Sequence, residues 1–231
     1  MKLGIMQPYF MPYIGYFQLM KAVDKYVIYD DVNYINRGWI NRNNILVNGK
    51  AHLFSISLGK ASQNKLINEI NIVDDFNKLK STIEMAYRKA PHFNPVMELM
   101  IDVFSFPDKR LELFIKNCFE QILSYLHIET ELILSSGIAK DNSLKGKDKV
   151  IEICKLLDAD TYYNAIGGKE LYDKKEFSDN GISLHFLKTN DKLQYKQFPN
   201  MDFVPNLSML DVLMFNSVEE VNKLLDDYIL E

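Results

Sequence analysis

A tyrosine-rich loop follows the first apolar run of the chain and reads QPYFMPYIGYF over residues 7–17. Gln7 offers an amide, and Tyr13 and Tyr16 offer hydroxyls and aromatic faces, so the loop can hydrogen-bond to a ligand and stack on it. Pro8 stiffens the loop. The alternative is a hydrophobic packing loop between a strand and a helix.

Two adjacent carboxylates, Asp30 and Asp31, follow the second apolar run, Lys25–Tyr29. A carboxylate at the end of such a strand binds a ribose hydroxyl in many nucleotide-binding α/β folds. It can also hold Mg²⁺ or act as a base. A structural cap of a turn or helix is the alternative.

A third candidate combines cations with the only tryptophan of the chain and reads NYINRGWINRN over residues 33–43. Arg37 and Arg42 suit a phosphate or a carboxylate, and Trp39 offers a stacking face to a base or sugar. A solvated loop anchored by the tryptophan explains the same residues.

Two further segments combine glycine with lysine. Residues 143–147 lack the spacing of a P-loop, although lysines at the start of a predicted helix indicate a nearby anion. Gly168 and Lys169 follow the predicted strand Thr161–Ala165 and suit a phosphate or a plain turn. Near the C terminus, Ser208 is predicted to be a helix N-cap with Asp211 as its capping-box partner.

These candidates must be positioned by an α/β fold. A short strand–helix–strand pattern over Lys2–Met6, Ile14–Val23 and Lys25–Tyr29 favours parallel pairing. Asn48-Gly49 predicts a hairpin turn. Apolar spacing predicts a short strand over Leu66–Val73.

Helical periodicity predicts three consecutive helices in the middle of the chain, before strands and helices alternate again. We therefore expect an α/β core formed by residues 1–73 and 130–231, which carries the ligand site, and a helical insertion at 74–129. The tail, residues 217–230, is predicted to be helical.

The composition is ordinary for a globular protein, with 231 residues, 47% hydrophobic residues and a net charge of −4. The negative charge argues against a nucleic-acid partner, and the chain has no run of 18 apolar residues to span a membrane. Cys118 and Cys154 lie among apolar residues and predict buried free thiols in the cytoplasm. No HExxH or GxSxG motif occurs, so neither a protein metal site nor a catalytic triad is predicted.

Several segments together resemble the WbqC-like proteins: QPYFMPYIGYF, VIYDDVNYINRGWINRNNI, GGKELY, and QYKQF with PNLSMLDVLMFNS. The resemblance covers nearly the whole chain in the right order. Members of that family occur among bacterial genes for O-antigen and other surface polysaccharides. The resemblance implies a transferase that acts on a nucleotide-activated sugar, with acyl or aminoacyl transfer to an amino sugar as the expected step.

A looser resemblance connects the N-terminal unit to the adenylate-forming nucleotidyltransferases, which include pantothenate synthetase. Their HxGH motif corresponds here to Tyr13, Ile14, Gly15 and Tyr16, so both histidines are replaced by tyrosines. The resemblance implies a Rossmann-like parallel sheet and a nucleotide pocket more strongly than it implies adenylyl transfer. Gly15 would allow close approach of a ligand or backbone.

The leading hypothesis is an enzyme with a small-molecule substrate, ATP or a nucleotide-sugar, with Mg²⁺ as a candidate cofactor. Asp30, Asp31 and Tyr16 are the catalytic candidates. The binding candidates are Gln7, Pro8, Tyr13, Gly15, Arg37, Trp39, Arg42, Gly168 and Lys169. The alternatives are a non-catalytic nucleotide-binding protein and a structural or partner-binding protein.

Overall fold

A computed structural model describes residues 1–199 and 201–231. Its strands are β1 (Lys2–Met6), β2 (Lys25–Ile28), β3 (Arg42–Val47), β4 (Lys50–Ser55), β5 (Leu58–Gly59), β6 (Asn71–Ile72), β7 (Glu131–Leu134), β8 (Thr161–Ala165), β9 (Ser183–Thr189) and β10 (Tyr228–Leu230). Its α-helices are α1 (Ile14–Lys21), α2 (Asn77–Tyr87), α3 (Phe93–Phe104), α4 (Leu111–Tyr125), α5 (Gly146–Leu156), α6 (Lys174–Ser178), α7 (Met209–Phe215) and α8 (Val218–Leu225).

The central sheet has six strands in the order β10-β9-β8-β1-β2-β7. All neighbouring strands are parallel except β9 and β10. The chain builds outward from β1 through β2 to β7, then returns to the other side of β1 for β8 and β9. This confirms the predicted Rossmann-like α/β fold and places its topological switch point between β1 and β8.

Helices cover both faces of the sheet, because parallel strands bury both of their sides. On one face, Leu3 and Val27 pack in a cluster with apolar residues of α5 and α6. On the other face, Tyr26 and Ile28 pack in a larger cluster with α1, α4 and α8.

The predicted run of three helices is present as α2, α3 and α4, between β6 and β7. Their apolar residues belong to the same cluster as those of α1 and α7, so they do not form a separate core. The division of the chain into an α/β core and an insertion at 74–129 stays a prediction.

The predicted hairpin is also present. Strands β3 and β4 pair antiparallel around Asn48 and Gly49, whose φ angles are 51° and 74°. Positive φ at both central residues is what a type I′ turn requires, and Asn-Gly accepts it readily.

Two local predictions were wrong. The tail is not helical throughout, since α8 ends at Leu225 and residues 228–230 pair with β9 as an antiparallel edge strand. The segment from Leu66 to Val73 is not one strand, because it contains a 3₁₀ turn at Ile67–Glu69 before β6. In both segments tertiary partners outweigh the local pattern.

Within the described residues, no helix has the length and apolar character to cross a bilayer. Cys118 and Cys154 are buried and unbridged, as predicted. Burial raises the pKa of each thiol to about 12, so neither is a reactive nucleophile at neutral pH.

Candidate functional site

A cavity of about 630 Å³ opens at the carboxyl ends of β1 and β8, where the strand order reverses. This is the position at which open α/β sheets bind their ligands. Its wall consists of strand ends, the tyrosine-rich loop and two later loops: Ile5, Met6, Gln7, Pro8, Tyr9, Tyr13, Tyr16, Tyr29, Ile35, Gly38, Trp39, Ile40, Asn164, Ala165, Gly167, Gly168, Leu171 and Tyr172.

Aromatic side chains form much of this wall. The ring of Tyr9 lies 6.0 Å from that of Tyr16 and 6.2 Å from that of Trp39, measured between centroids. Burial raises the pKa of Tyr13 and of Tyr16, so both phenols stay protonated at neutral pH. The wall therefore offers stacking faces and neutral hydroxyls.

The hydroxyl of Tyr16 donates to the backbone carbonyl of Gln7. This bond uses the only proton of the phenol, so Tyr16 joins α1 to the loop after β1. Tyr13 lines the cavity as the N-cap residue of α1, and its hydroxyl makes no hydrogen bond to another described residue. The two tyrosines at the HxGH-like positions therefore differ in what they can offer a ligand.

Asn164 is the most enclosed amide of the wall, with 5% of its surface exposed. Its side chain makes no hydrogen bond within the described part of the chain. A Cβ atom at Gly168 would lie 2.8 Å from the Asn164 Nδ2 atom, so only glycine fits there without displacing the amide. Asn164 thus keeps free hydrogen-bonding capacity for a ligand.

The lining contains no carboxylate, ammonium, guanidinium or imidazole group among the described residues. Amides, phenols and aromatic faces suit a neutral ligand with hydroxyl groups or a heteroaromatic ring, such as a sugar or a nucleobase.

The tyrosine-rich loop is held by residues that are distant in sequence. The backbone carbonyl of Met11 accepts hydrogen bonds from the Asn43 amide and, at 2.7 Å, from the Ser208 hydroxyl. The Met209 N–H donates to the Pro12 carbonyl at 2.7 Å. Three segments that were singled out separately in the sequence therefore meet behind the cavity.

Ser208 is the N-cap of α7, as predicted, because its side chain accepts from the Leu210 N–H. Asp211 is not its capping-box partner. The buried Asp211 carboxylate instead accepts from Tyr87 at 2.7 Å, Tyr195 at 2.6 Å and Gln197 at 2.8 Å. This network fastens the segment before α7 to the core.

Asp30 is fully buried at the end of β2 and does not line the cavity. The backbone N–H and the hydroxyl of Ser136 donate to its two oxygens at 2.9 and 2.6 Å. Asp30 therefore connects the ends of β2 and β7, which is a structural arrangement.

Asp31 lies in a separate groove of about 620 Å³ that adjoins the cavity along Tyr29. Lys140 and Lys149 reach its Oδ2 atom at 2.8 and 3.0 Å. Burial by itself would raise the pKa of Asp31, but Lys140, the nearby Ser135 side chain and Lys149 together hold the pKa below its usual value. The carboxylate is ionised and already occupied by cations, so it is a poor base.

The arginines lie behind the rim of the cavity and do not line it. The Arg42 guanidinium stacks over Trp39 at 5.3 Å from the ring centroid and donates to the Arg37 carbonyl. Trp39 is 49% exposed and forms part of the rim. The structure thus places Trp39, but not the two arginines, against the cavity.

Gly15 and Lys169 also lie away from the cavity. A Cβ atom at Gly15 would lie 2.5 Å from the ring of Tyr13 and 2.7 Å from the Thr189 hydroxyl, so this glycine makes room for the Tyr13 side chain and for close packing of α1 on β9. Lys169 pairs with Glu231 at 2.5 Å near the sheet edge. No group of three or more metal-binding side chains (His, Cys, Asp or Glu) occurs in residues 1–199 and 201–231.

Several residues around the site were missed from sequence: Tyr29, Asn164, Lys140 and Lys149. Tyr29 and Asn164 sit at the carboxyl ends of predicted strands, and that position was a usable signal. The two lysines had none, because only the fold brings them to Asp31.

Comparison with known proteins places the chain in a family. Over 221 residues it is 27% identical to a Mycobacterium tuberculosis protein named "Uncharacterized protein Rv1507c", with 93% of each chain covered. No solved structure gives a significant match. The model of the WbqC-like protein family matches residues 7–223, which include every segment that carried the resemblance. The chain belongs to the WbqC-like protein family.

Proposed function

We propose that the chain is a cytoplasmic transferase that acts on a nucleotide-activated sugar in bacterial surface polysaccharide synthesis. The observation that carries this proposal is the cavity at the switch point, with its uncharged, hydrogen-bonding and aromatic lining. That position and that chemistry suit the sugar or base of such a ligand.

The cavity offers two kinds of contact to a sugar ring. Trp39 and Tyr9 present adjacent aromatic faces, which pack against the apolar C–H face of a sugar or against a base. Asn164 and Tyr13 present free polar groups, which bind hydroxyls or the edge of a base.

Acyl or aminoacyl transfer to an amino sugar is the proposed reaction. The sugar nitrogen attacks the carbonyl carbon of an activated donor, an amide bond forms, and the leaving group departs while the nitrogen loses a proton. The described lining offers no nucleophile of its own, since its hydroxyls are phenols with a raised pKa or are hydrogen-bonded. Direct transfer with catalysis by positioning fits this lining best.

Product formation tests the proposal. The purified full chain is incubated with nucleotide-linked amino sugars and a panel of acyl and aminoacyl donors, with and without ATP and Mg²⁺, and new amides are sought by mass spectrometry. We expect one pair to react, and we expect Asn164→Leu to reduce turnover at least tenfold by removing a buried polar contact. Absence of product over a broad panel would refute the transferase.

A non-catalytic binding protein is the second candidate. The Tyr16–Gln7 hydrogen bond favours it, because the residue in the position of a catalytic histidine is engaged in holding the loop. This candidate predicts ligand-dependent thermal stabilisation without turnover. A purely structural protein, in contrast, would show neither.

A further inference from the structure

The groove beside the uncharged cavity is lined by charged side chains, which include Lys145 and Lys149. It lies at the carboxyl ends of β2 and β7, against the start of α5, and Tyr29 lines both the groove and the cavity. The Lys149 ammonium lies 5.3 Å from the centroid of the Tyr29 ring. A ligand that fills the cavity can therefore extend past Tyr29 into a cationic space.

Two buried lysines share the Asp31 carboxylate, and Lys149 is the one of the two that lines the groove. The side chains of Lys140 and Lys149 are only 2% and 7% exposed, and both ammonium groups approach the same Asp31 oxygen. Two buried ammonium groups that share one carboxylate repel each other, and a bound anion would offset that repulsion.

The start of α5 adds a second anion-binding element. Its N-cap residue, Lys145, makes no side-chain cap and lines the groove together with Gly146. The N-cap side chain therefore leaves the backbone N–H groups of the first turn open, and the helix dipole favours negative charge there, to which Asp148 of the same turn contributes. Lys145 is exposed and forms no ion pair within residues 1–199 and 201–231.

We propose that this groove binds the diphosphate of the ligand, through Lys149, Lys145 and the first turn of α5. The identity of the ligand as a nucleotide-sugar rests on the proposed function, whereas anion binding rests on the groove itself. Asp31 is then a positioning residue that holds two lysines in place.

This assignment moves the phosphates away from their expected place. From the sequence, the phosphates of a bound nucleotide were expected along Gln7, Tyr13, Gly15 and Tyr16, but the described wall of the cavity carries no cation. In the proposed arrangement the base or sugar binds against that wall, and the phosphates bind in the groove at the end of β2.

Calorimetric titration of the full chain with inorganic pyrophosphate tests the inference. We expect binding that weakens with salt, and about a tenfold loss in affinity with either Lys149→Gln or Lys145→Gln. Lys149→Arg should keep most of the affinity because it keeps the charge. The matched control is Lys155→Gln, an exposed lysine in the last turn of the same helix, which should bind like wild type.

Either of two pyrophosphate results would overturn the inference: no binding, or an equal loss of affinity in Lys155→Gln and Lys145→Gln. Lys145 is exposed, so its variant remains informative even if Lys149→Gln unfolds.

Parallel titrations with uridine, UDP, adenosine and ADP distinguish the proposed diphosphate site from the proposed nucleotide-sugar ligand. If pyrophosphate binds and no nucleoside or nucleotide binds more tightly, the nucleotide ligand is refuted and the anion-binding groove stands. If a nucleoside binds and its diphosphate binds no more tightly, the diphosphate site in the groove is refuted and the nucleotide pocket stands.

Discussion

Ser136 binds both carboxylate oxygens of Asp30, with its N–H at 2.9 Å from Oδ1 and its hydroxyl at 2.6 Å from Oδ2. The pair joins the ends of two neighbouring parallel strands, β2 and β7. Since Asp30 is fully buried, these bonds satisfy a carboxylate that solvent does not reach. The next residue, Asp31, is held by lysines instead, so adjacent carboxylates perform different tasks.

Asp30→Ala should destabilise the fold. The change leaves the two Ser136 donors without a partner and opens space beneath the sheet edge, so we expect a loss of about 2–4 kcal/mol in the free energy of unfolding. Urea denaturation measures it. The control is Asp191→Ala, which removes only an exposed pair with Lys188 and should change stability little. Equal effects of the two variants would contradict the structural role of Asp30.

Glu112 should make stability depend on pH. Burial, and secondarily the charge of Asp30, raise the pKa of Glu112 to about 7 in the folded protein. The unfolded value is about 4.3, so between these values the folded state binds more protons and stability falls as pH rises.

Glu112→Gln should remove this part of the pH dependence. Relative to wild type, the variant should gain about 2 kcal/mol at a pH of about 8 and nothing at a pH of about 4, with allowance for solvent screening. Denaturation curves at several pH values measure the difference. If the difference in the free energy of unfolding between wild type and variant stays constant with pH, Glu112 does not titrate in this range.

Trp39 should report on the cavity. It is the only tryptophan of the chain, is 49% exposed and stands at the rim, so ligand entry should change its fluorescence. Trp39→Phe should abolish the signal while calorimetry still detects binding, because a phenyl ring keeps a stacking face. Trp39→Ala should weaken binding about tenfold, without a comparable loss of stability. An unchanged affinity in Trp39→Ala would remove Trp39 from the binding surface.

The Asp211 network should hold the segment before α7. Asp211→Asn replaces an acceptor of three hydrogen bonds by a group that carries its own protons, so we expect a loss of about 1–3 kcal/mol. Hydrogen exchange should accelerate around Tyr195 and Gln197 more than in β1. Uniform acceleration across the chain would indicate global destabilisation only.

Much of the local structure was predictable from the residues. The strand–helix–strand unit that starts at Lys2, the Asn48-Gly49 turn and the Ser208 cap all depend on periodicity or turn chemistry within a few residues. The helical prediction for the tail was wrong because its structure depends on a distant partner. Residues 228–230 follow a helix, but they pair with the free edge of β9, which lies about forty residues earlier in the chain.

The residues of the candidate site were also predictable only where their signal was local in the sequence. Tyr13, Tyr16 and Trp39 were found because aromatic loops beside strand ends stand out in the sequence, and the structure lines the cavity with them. Asp211 was misassigned, because its partners Tyr87 and Tyr195 come from other elements.

The sequence by itself determined the class of fold and pointed to the strand-end loops of the candidate site, because apolar periodicity and such loops are encoded locally. Only the tertiary structure decided what each group does there. Crossovers bring β7, β8 and α5 to the carboxyl end of β2 and β1, and with them Lys140, Lys149 and Asn164. Local patterns carry no record of which distant elements will be neighbours. That arrangement separates a neutral cavity from a cationic groove. It also gives two adjacent aspartates different roles: Asp30 connects two strands, and Asp31 holds two lysines.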